Sequence, residues 1–176
     1  MTTAEDSRDP ARSRLARMIA RLEAQRACLA LAQEAIRDIA GPVLEIGLGK
    51  GRTYDHLRRL LPEREIFAFD RDIHAPADCV PDAEHMIQGD FRDTLPAAVA
   101  RIGRRRAALV HADIGSEDRA RDAALATAIV PAIVALLRPG GIALCDRDLG
   151  RPTGWVAVPP PAAVDDWPYF LYRAER

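Results

Sequence analysis

The chain has 176 residues, which is enough for one domain with a substantial hydrophobic core. Apolar residues make up 48% of it and charged residues 29%, a globular composition that excludes a chain disordered throughout. The net charge of −1 argues against a large nucleic-acid interface, because phosphate binding depends on a basic surface.

The cysteines and the N-terminal residues indicate the cellular compartment of the protein. Cys28, Cys79 and Cys145 are odd in number and widely spaced, so they predict neither a disulfide framework nor a C-x-x-C metal site. The longest apolar run near the N-terminus, 27–32, is too short for a signal peptide or a membrane span. Residues 1–10 are polar, and we expect them to fray. These features predict a cytoplasmic protein without a membrane partner.

A long amphipathic helix is predicted over 11–39, and Gly41 and Pro42 end it. Its apolar stripe consists of Leu15, Met18, Ile19, Leu22, Leu29 and Ile36. Such a stripe packs into the core in most proteins. A helix before the first strand can also cover a ligand cleft or form a dimer interface, and we expect a homo-oligomer. We treat 1–40 as a helical segment of the same domain as the core at 41–176.

The stretch 41–61 (GPVLEIGLGKGRTYDHLRRLL) predicts a buried strand, a tight turn and the start of a helix. The turn contains three glycines: Gly47, Gly49 and Gly51. A backbone without Cβ permits positive φ and lets a ligand approach closely, and the helix N-terminus offers free N–H groups. Thr53 stands where the helix N-cap would be. The alternatives are an ordinary turn and a dinucleotide-binding turn, which would need glycine or alanine where Arg52 stands.

The second and third predicted strands both end in an acid. Residues 65–70 (EIFAFD) end in Asp70, near the distance from the glycine turn at which nucleotide folds place a ribose-binding carboxylate. Two carboxylate oxygens match a vicinal diol, and the alternative role of Asp70 is to cap the following turn. Residues 85–91 (HMIQGDF) form a short strand that ends in Gly-Asp.

The rest of the chain alternates helices and strands, which predicts an α/β fold. Helices are expected over 95–101 and 117–138, with an irregular connection over 75–83, and strands over 107–111, 142–145, 154–158 and 169–173. Pro131 either kinks the second of these helices or divides it, and the R-P-G-G segment from Arg138 ends it.

The string E-x-G-x-G-x-G that begins at Glu45 resembles motif I of the class I S-adenosylmethionine-dependent methyltransferases. The acid after strand two, the Gly-Asp after strand three and the R-P-G-G before strand five follow in the order of that family's motifs. The resemblance covers 41–173, and the segment 47–57 (GLGKGRTYDHL) also looks like that of a small bacterial methyltransferase family. It implies a three-layer α/β/α Rossmann-like fold with a mostly parallel seven-stranded sheet and an antiparallel last strand.

The resemblance also implies the cofactor, S-adenosylmethionine, and roles for the motif residues. Glu45 would answer the ammonium group of the cofactor, Asp90 would accept from the adenine amine and Phe91 would wall the adenine ring. The expected cofactor-binding residues are Glu45, Gly47, Gly49, Gly51, Thr53, Asp70, Arg71, Asp90, Phe91 and Asp113.

His111 and Asp113 are the candidate catalytic residues, and strand alternation should point both to one side. An imidazole titrates near neutral pH and suits a base, although His111 is equally a candidate for a structural histidine. Asp113 would attract the cofactor's charge or orient the acceptor. The alternative role of Asp113 is to cap the next helix, for which Ser116 suits better by position. Asp113 and Asp146 are placed like the metal ligands of catechol-type O-methyltransferases, but Arg147 disfavours a cation, so no metal is expected.

We therefore expect an S-adenosylmethionine-dependent methyltransferase that acts on a small-molecule acceptor by in-line methyl transfer, without a nucleic-acid partner. The protein supplies orientation, and a base only where the acceptor must lose a proton. A non-catalytic module that binds or senses S-adenosylmethionine is the alternative. An NAD-dependent oxidoreductase is a third hypothesis, which Arg52 disfavours.

Overall fold

A computed structural model describes residues 12–116, 118–164 and 167–175, so the expected frayed segment 1–10 lies outside the described residues. The strands are β1 (Val43–Ile46), β2 (Ile66–Asp70), β3 (Met86–Gln88), β4 (Ala107–Ala112), β5 (Leu137–Cys145), β6 (Trp155–Val158) and β7 (Phe170–Ala174). The helices are α1 (Arg14–Ala35), α2 (Arg52–Leu60), α3 (Phe91–Ile102) and α4 (Arg119–Leu136), with short 3-10 helices at Ala77–Cys79 and Ala162–Val164.

The seven strands form one sheet in the order β3-β2-β1-β4-β5-β7-β6. The pairs among β1 to β5 are parallel, and β7 runs antiparallel to both β5 and β6. Helices α3 and α4 pack on one face and α1 and α2 on the other. This is the predicted three-layer Rossmann-like methyltransferase fold. Strand order reverses between β1 and β4, and ligands of such sheets bind in the crevice at that point.

The apolar stripe of α1 is buried only in its C-terminal half, so the interpretation of the stripe as core holds for that half alone. The buried residues on this helix and its C-cap are Ala24, Cys28, Leu29, Ala32 and Ile36. The exposed ones are Leu15, Met18, Ile19 and Leu22, at 70%, 44%, 48% and 38% exposure. Hydrophobic periodicity reports which face is apolar, but it does not report how far the body of the domain extends beneath that face.

Helix α1 also ends earlier than predicted, at Ala35. The guanidinium of Arg64 donates to the carbonyls of Ile36, Ile39 and Gly41 at 2.9, 2.7 and 3.0 Å. Backbone carbonyls at a helix end lack partners within the helix. Here Arg64, in the connection between α2 and β2, donates hydrogen bonds to the carbonyls of the irregular turn after α1. The chain is thereby guided into β1.

Two other boundaries differ from prediction because acidic residues cap the helices. Asp90 is the N-cap of α3 and accepts from the Arg92 N–H at 2.9 Å, so this helix begins at 91 rather than 95. Asp118, and not Ser116, caps α4 and accepts from the Arg121 N–H at 3.0 Å. Helix α4 is continuous through Pro131.

The R-P-G-G segment lies inside β5 instead of before it, which corrects the predicted start of that strand. Ala107 of β4 is opposite Leu137, and Leu109 is opposite Ile142, so 138–141 form an irregularity in the ladder. Gly140 there has φ +79°. Such a conformation suits glycine, and a bulge lets a strand continue where the pairing is interrupted.

None of the helices in the described parts of the chain is both long enough and apolar enough to cross a bilayer.

The half-buried helix α1 gives a stability prediction. Leu29 on α1 is 1% exposed, so Leu29→Ala should lower the free energy of unfolding by about 2–5 kcal/mol, because it leaves a cavity in the core. The exposed Val156 on β6 is the control, and Val156→Ala should change stability by about 0.5 kcal/mol or less. Chemical denaturation measures both. Equal effects would show that α1 does not pack on the sheet as described.

Candidate functional site

Two adjoining clefts lie at the carboxyl edge of the parallel strands. The first cleft, of about 330 Å³, lies between the glycine turn and α1. The second cleft, of about 320 Å³, lies between the start of α3 and helix α4. Both are lined by Asp70, Phe91 and Ile114, so these three residues mark the junction between them.

The three glycines of the turn have different structural roles. A Cβ on Gly47 would lie 2.3 Å from the carbonyl oxygen of Asp113, so the turn packs directly on the β4 exit. Gly49 faces open space, since an added Cβ would meet nothing within 4 Å. Gly51 has φ +73° at the N-cap of α2, and a Cβ there would lie 2.6 Å from that of Cys79. Gly47 and Gly49 line the first cleft; Gly51 does not.

The Asp70 carboxylate fixes the turn from the end of β2. Its Oδ2 accepts from the Gly49 N–H at 2.8 Å, and its Oδ1 accepts from the Arg71 N–H at 2.7 Å. A carboxylate has about four lone-pair sites, so it retains acceptor capacity at the junction of the clefts. Arg71 lines the second cleft and its side chain donates to Asp72 at 3.3 Å.

The second cleft is a slot between Phe91 and apolar side chains of α4, among them Leu125 and Ala128. Asp90 also lines it, and both of its oxygens accept from the Arg92 guanidinium, at 2.9 and 2.6 Å. These hydrogen bonds, with the one from the Arg92 backbone, hold the pKa of Asp90 well below its ordinary 3.8. The slot therefore combines an aromatic wall, an aliphatic wall and an ionised acid at its edge.

Asp113 connects β4 to the helix that covers the first cleft. Nη2 of Arg21 donates to both oxygens of Asp113 at 2.6 Å, and Nε2 of Gln25 donates to Oδ2 at 2.8 Å. The side chain of Asp113 is 17% exposed and lines the cleft. A carboxylate that accepts three hydrogen bonds from two side chains is a strong anchor, so Asp113 fixes α1 above the glycine turn.

Glu45 and His111 are register partners on β1 and β4, and both are fully buried. His111 Nδ1 lies 2.5 Å from Glu45 Oε2, and His111 Nε2 lies 2.7 Å from the Tyr169 hydroxyl. The Thr53 hydroxyl donates to the other oxygen of Glu45. Thr53 is therefore not the N-cap of α2, which corrects that prediction.

Neither Glu45 nor His111 lines a cleft. The resemblance implies that Glu45 acts on the ammonium group indirectly, and its buried position is compatible with that role. The buried position of His111 fits the structural alternative, and its role as a base stays a prediction. Burial alone would lower the pKa of His111, but the adjacent Glu45 carboxylate outweighs it and raises the pKa above 6.5. Burial raises the pKa of Tyr169 well above 10, so the phenol stays neutral.

Asp146 follows β5 and is also satisfied by protein donors. It accepts from the Ile114 N–H and from Arg147, both at 3.1 Å, while Arg147 also donates to Asp122 at 2.7 Å. Burial, then the charge of Asp113, raises the pKa of Asp146. Among the described residues, no group of three or more His, Cys, Asp and Glu side chains is arranged to hold a metal ion.

The sequence analysis left open that α1 covers a cleft, but it did not identify the residues that this helix contributes to the lining. Its lining residues are Met18, Arg21, Leu22 and Gln25, and the glycine turn adds Lys50 and Arg52. The four helix positions follow the i, i+3, i+4, i+7 spacing of one face. Two polar residues within an otherwise apolar stripe were the available signal, because a fully buried face would exclude an unpaired arginine.

The buried pair predicts how stability depends on pH. Because the folded state raises the pKa of His111 above 6.5, the pair's contribution is complete below that pH and is lost as pH rises through the folded-state pKa. Wild-type unfolding free energy should fall over this range. Glu45→Gln removes the charge and should flatten the decline, while the exposed Glu63→Gln should not. Denaturation at several pH values tests this, and identical slopes for wild type and Glu45→Gln would contradict it.

Comparison with known proteins identifies the family to which this site belongs. Residues 12–174 match the S-adenosyl-L-methionine methyltransferase family. The chain is similar to the crystal structure of an S-adenosyl-L-methionine methyl transferase from Silicibacter pomeroyi DSS-3, with 40% identity and a TM-score of 0.85 over 93% of this chain and 99% of that one. No curated protein matches the sequence.

More distant structures share the fold. Human methyltransferase-like protein 13, in complex with SAH, has 19% identity and a TM-score of 0.55, covering 89% of this chain and 82% of that one. A protein from Corynebacterium glutamicum has 14% identity and a TM-score of 0.55, covering 94% and 92%. The extent of the family match and the similarity to the Silicibacter protein lead to one conclusion: the chain belongs to the S-adenosyl-L-methionine methyltransferase family, and its cofactor is S-adenosylmethionine.

Proposed function

We propose that the chain binds S-adenosylmethionine across the two clefts, with the ribose on Asp70, and transfers the methyl group to a small-molecule acceptor. The supporting observation is the position of Asp70, an acid at the junction between an apolar slot and a polar cleft. Such an arrangement fits an elongated ligand with a vicinal diol between a flat base and a charged end.

The residues of each cleft fit one part of the cofactor. The adenine suits the slot between Phe91 and Leu125, with Asp90 at its edge to accept from the amine. The methionine end suits the first cleft, where Gly49 offers an open backbone and Gly47 admits no side chain. Glu45 then acts indirectly, through Thr53, on the shape of this turn.

S-adenosylmethionine supplies a methyl group that is activated by the positive charge of its sulfur. The chain's own contribution is to orient this methyl group towards the acceptor and to exclude water. Helix α1 covers the first cleft through the contacts of Arg21 and Gln25 with Asp113. Orientation of this kind supplies a large share of the acceleration in a displacement reaction.

The acceptor we propose is a small molecule and not a nucleic acid. The first cleft is only about 330 Å³ and must also admit part of the cofactor. The net charge of −1 gives little general attraction for phosphate backbones. A cytoplasmic location stays a prediction from the sequence.

The alternative is a non-catalytic module that binds the cofactor in order to sense it. The observation that favours it is that neither candidate catalytic residue is free to react. His111 is fully buried, and Asp113 accepts three hydrogen bonds from Arg21 and Gln25. The two functions differ in turnover. Formation of S-adenosylhomocysteine in the presence of an acceptor would support the enzyme, and binding without turnover over a broad acceptor panel would support the sensor.

We also propose that the chain forms a homo-oligomer through the exposed edge of α1. Leu15 and Ile19 are exposed and belong to the stripe beside the cleft-lining face of this helix. Large exposed aliphatic side chains grouped on one helix are typical of association surfaces. A second copy of the chain packed on this edge of α1 would bury both residues. Met18 and Leu22 would remain part of the lining of the first cleft.

Asp70 provides the test of cofactor binding. Asp70→Ala should weaken S-adenosylmethionine by about 1.5–3 kcal/mol, because a hydrogen bond to an ionised group is lost. Titration calorimetry measures the affinity, and S-adenosylhomocysteine and NAD complete the ligand panel, with no binding expected for NAD. Asp72→Ala is the control, since Asp72 is exposed and lines neither cleft. Unchanged affinity in a folded Asp70→Ala protein would sink the assignment.

Ile19 provides the test of association. Ile19→Asp should reduce the mass measured by sedimentation to that of a single chain, because a charge cannot be buried in an apolar contact without cost. Ile73→Asp is the matched control, since Ile73 is also exposed, at 42%, and lies outside α1. A wild-type protein that already sediments as one chain would refute the proposal.

A further inference from the structure

The acceptor side of the first cleft has an unusual charge pattern, which bears on the proposed methyltransferase function. On one wall, α1 presents Met18 and Leu22, both partly exposed. On the opposite wall, the glycine turn presents Lys50 and Arg52, which are also exposed. Within the described residues, neither cation has a hydrogen bond or an ion pair, although arginines elsewhere in the chain are widely paired. The cleft thus combines an apolar wall with unpaired positive charge.

The described lining of both clefts contains no histidine, cysteine or tyrosine. The two carboxylates of the first cleft are already engaged: Asp70 accepts from backbone N–H groups, and Asp113 accepts from Arg21 and Gln25. His111 is fully buried beneath them. No side chain there is both free and suited to remove a proton at neutral pH. The site therefore favours an acceptor atom that is already deprotonated when it binds.

Among common acceptor groups, a carboxylate meets this requirement. Model carboxyl groups have pKa values of about 4, whereas thiols, phenols and amines have values of about 8.5 to 10.4 and remain protonated at neutral pH. A carboxylate also pairs with lysine or arginine through charge-assisted hydrogen bonds. Two unpaired cations suffice for two carboxylates, that of the cofactor's methionine end and that of the acceptor.

We propose that the acceptor is an apolar monocarboxylic acid, which this site converts into its methyl ester. One carboxylate oxygen contacts Lys50, Arg52 pairs with the carboxylate of the cofactor's methionine end, and the apolar body lies against Met18 and Leu22. A lone pair of the second oxygen forms the new O–C bond with the methyl carbon. The C–S bond breaks, and its electron pair goes to the sulfur, which becomes a neutral thioether. The carboxylate charge and the sulfonium charge cancel, and no proton is transferred.

Octanoate with octanamide, octanol and octylamine forms a matched series that differs only in the acceptor group, and acetate lacks the apolar body. The full-length protein is mixed with S-adenosylmethionine, and S-adenosylhomocysteine and methyl ester are measured. Turnover with octanoate should exceed that with every other compound at least about tenfold, and its rate should be constant from about pH 6 to 9, because octanoate stays ionised. A preference for octanol or octylamine, or a rate that rises with pH over this range, would overturn the proposal.

Binding supplies a readout that is independent of turnover. Calorimetry on the complex with S-adenosylhomocysteine should detect straight-chain acids of six to twelve carbons or aryl-alkanoic acids. Lys50→Gln should weaken the acid about tenfold with unchanged S-adenosylhomocysteine affinity, and Lys50→Arg should restore it. The exposed Arg104→Gln is the control. If S-adenosylhomocysteine binds but no acid of either series does, the carboxylic-acid acceptor is refuted and the proposed binding of the cofactor stands. If S-adenosylhomocysteine does not bind, the proposed function fails with it.

Discussion

A chain of buried hydrogen bonds runs beneath the first cleft and joins its walls. It passes from Thr53 on α2 to Glu45, then to His111 and Tyr169. Gln25 on α1 donates to Asp113, which follows β4, the strand that carries His111. Removing one partner of such a network leaves a buried charge or polar group unpaired, which costs several kcal/mol. The spacing between the glycine turn and α1, and so the width of the cleft, depends on this network.

The network explains why polar residues stand in central strands whose other side chains are apolar. Glu45 and His111 are opposite each other on β1 and β4, at the point where strand order reverses. Their side chains are on the face covered by α1 and α2, and they hold these helices in one arrangement over the sheet. A rigid support of this kind positions the residues that touch a ligand. We interpret both residues as positioning residues.

The succession of strands and helices along the chain, the glycine turn and the acid at the end of β2 were predictable from local sequence patterns, and the sheet followed from the family resemblance. The partners of Glu45 and Asp113 were not predictable, since they depend on residues 66 to 92 positions away in the chain. Alternation along β4 did predict that His111 and Asp113 face one side. Periodicity could not show where α1 extends beyond the sheet, so it could not decide which residues of the stripe, Met18 and Leu22 among them, lie outside the core.

The acids that follow β4 and β5 illustrate the same limit. From spacing alone, Asp113 and Asp146 resembled a metal site, but each is satisfied separately, by α1 and by Arg147. Satisfying these acids within the protein leaves Lys50 and Arg52 as the unpaired charges of the first cleft within the described residues. The cleft is therefore electrostatically suited to an anionic group at its mouth.

A crystal structure of the complex with S-adenosylhomocysteine tests the central claim most directly. The account predicts that both ribose hydroxyls donate to Asp70, that the adenine lies in the slot between Phe91 and Leu125, and that the thioether sulfur lies in the first cleft beneath α1. It would be contradicted by density for the ribose away from Asp70, or by a homocysteine end outside the cleft that α1 covers.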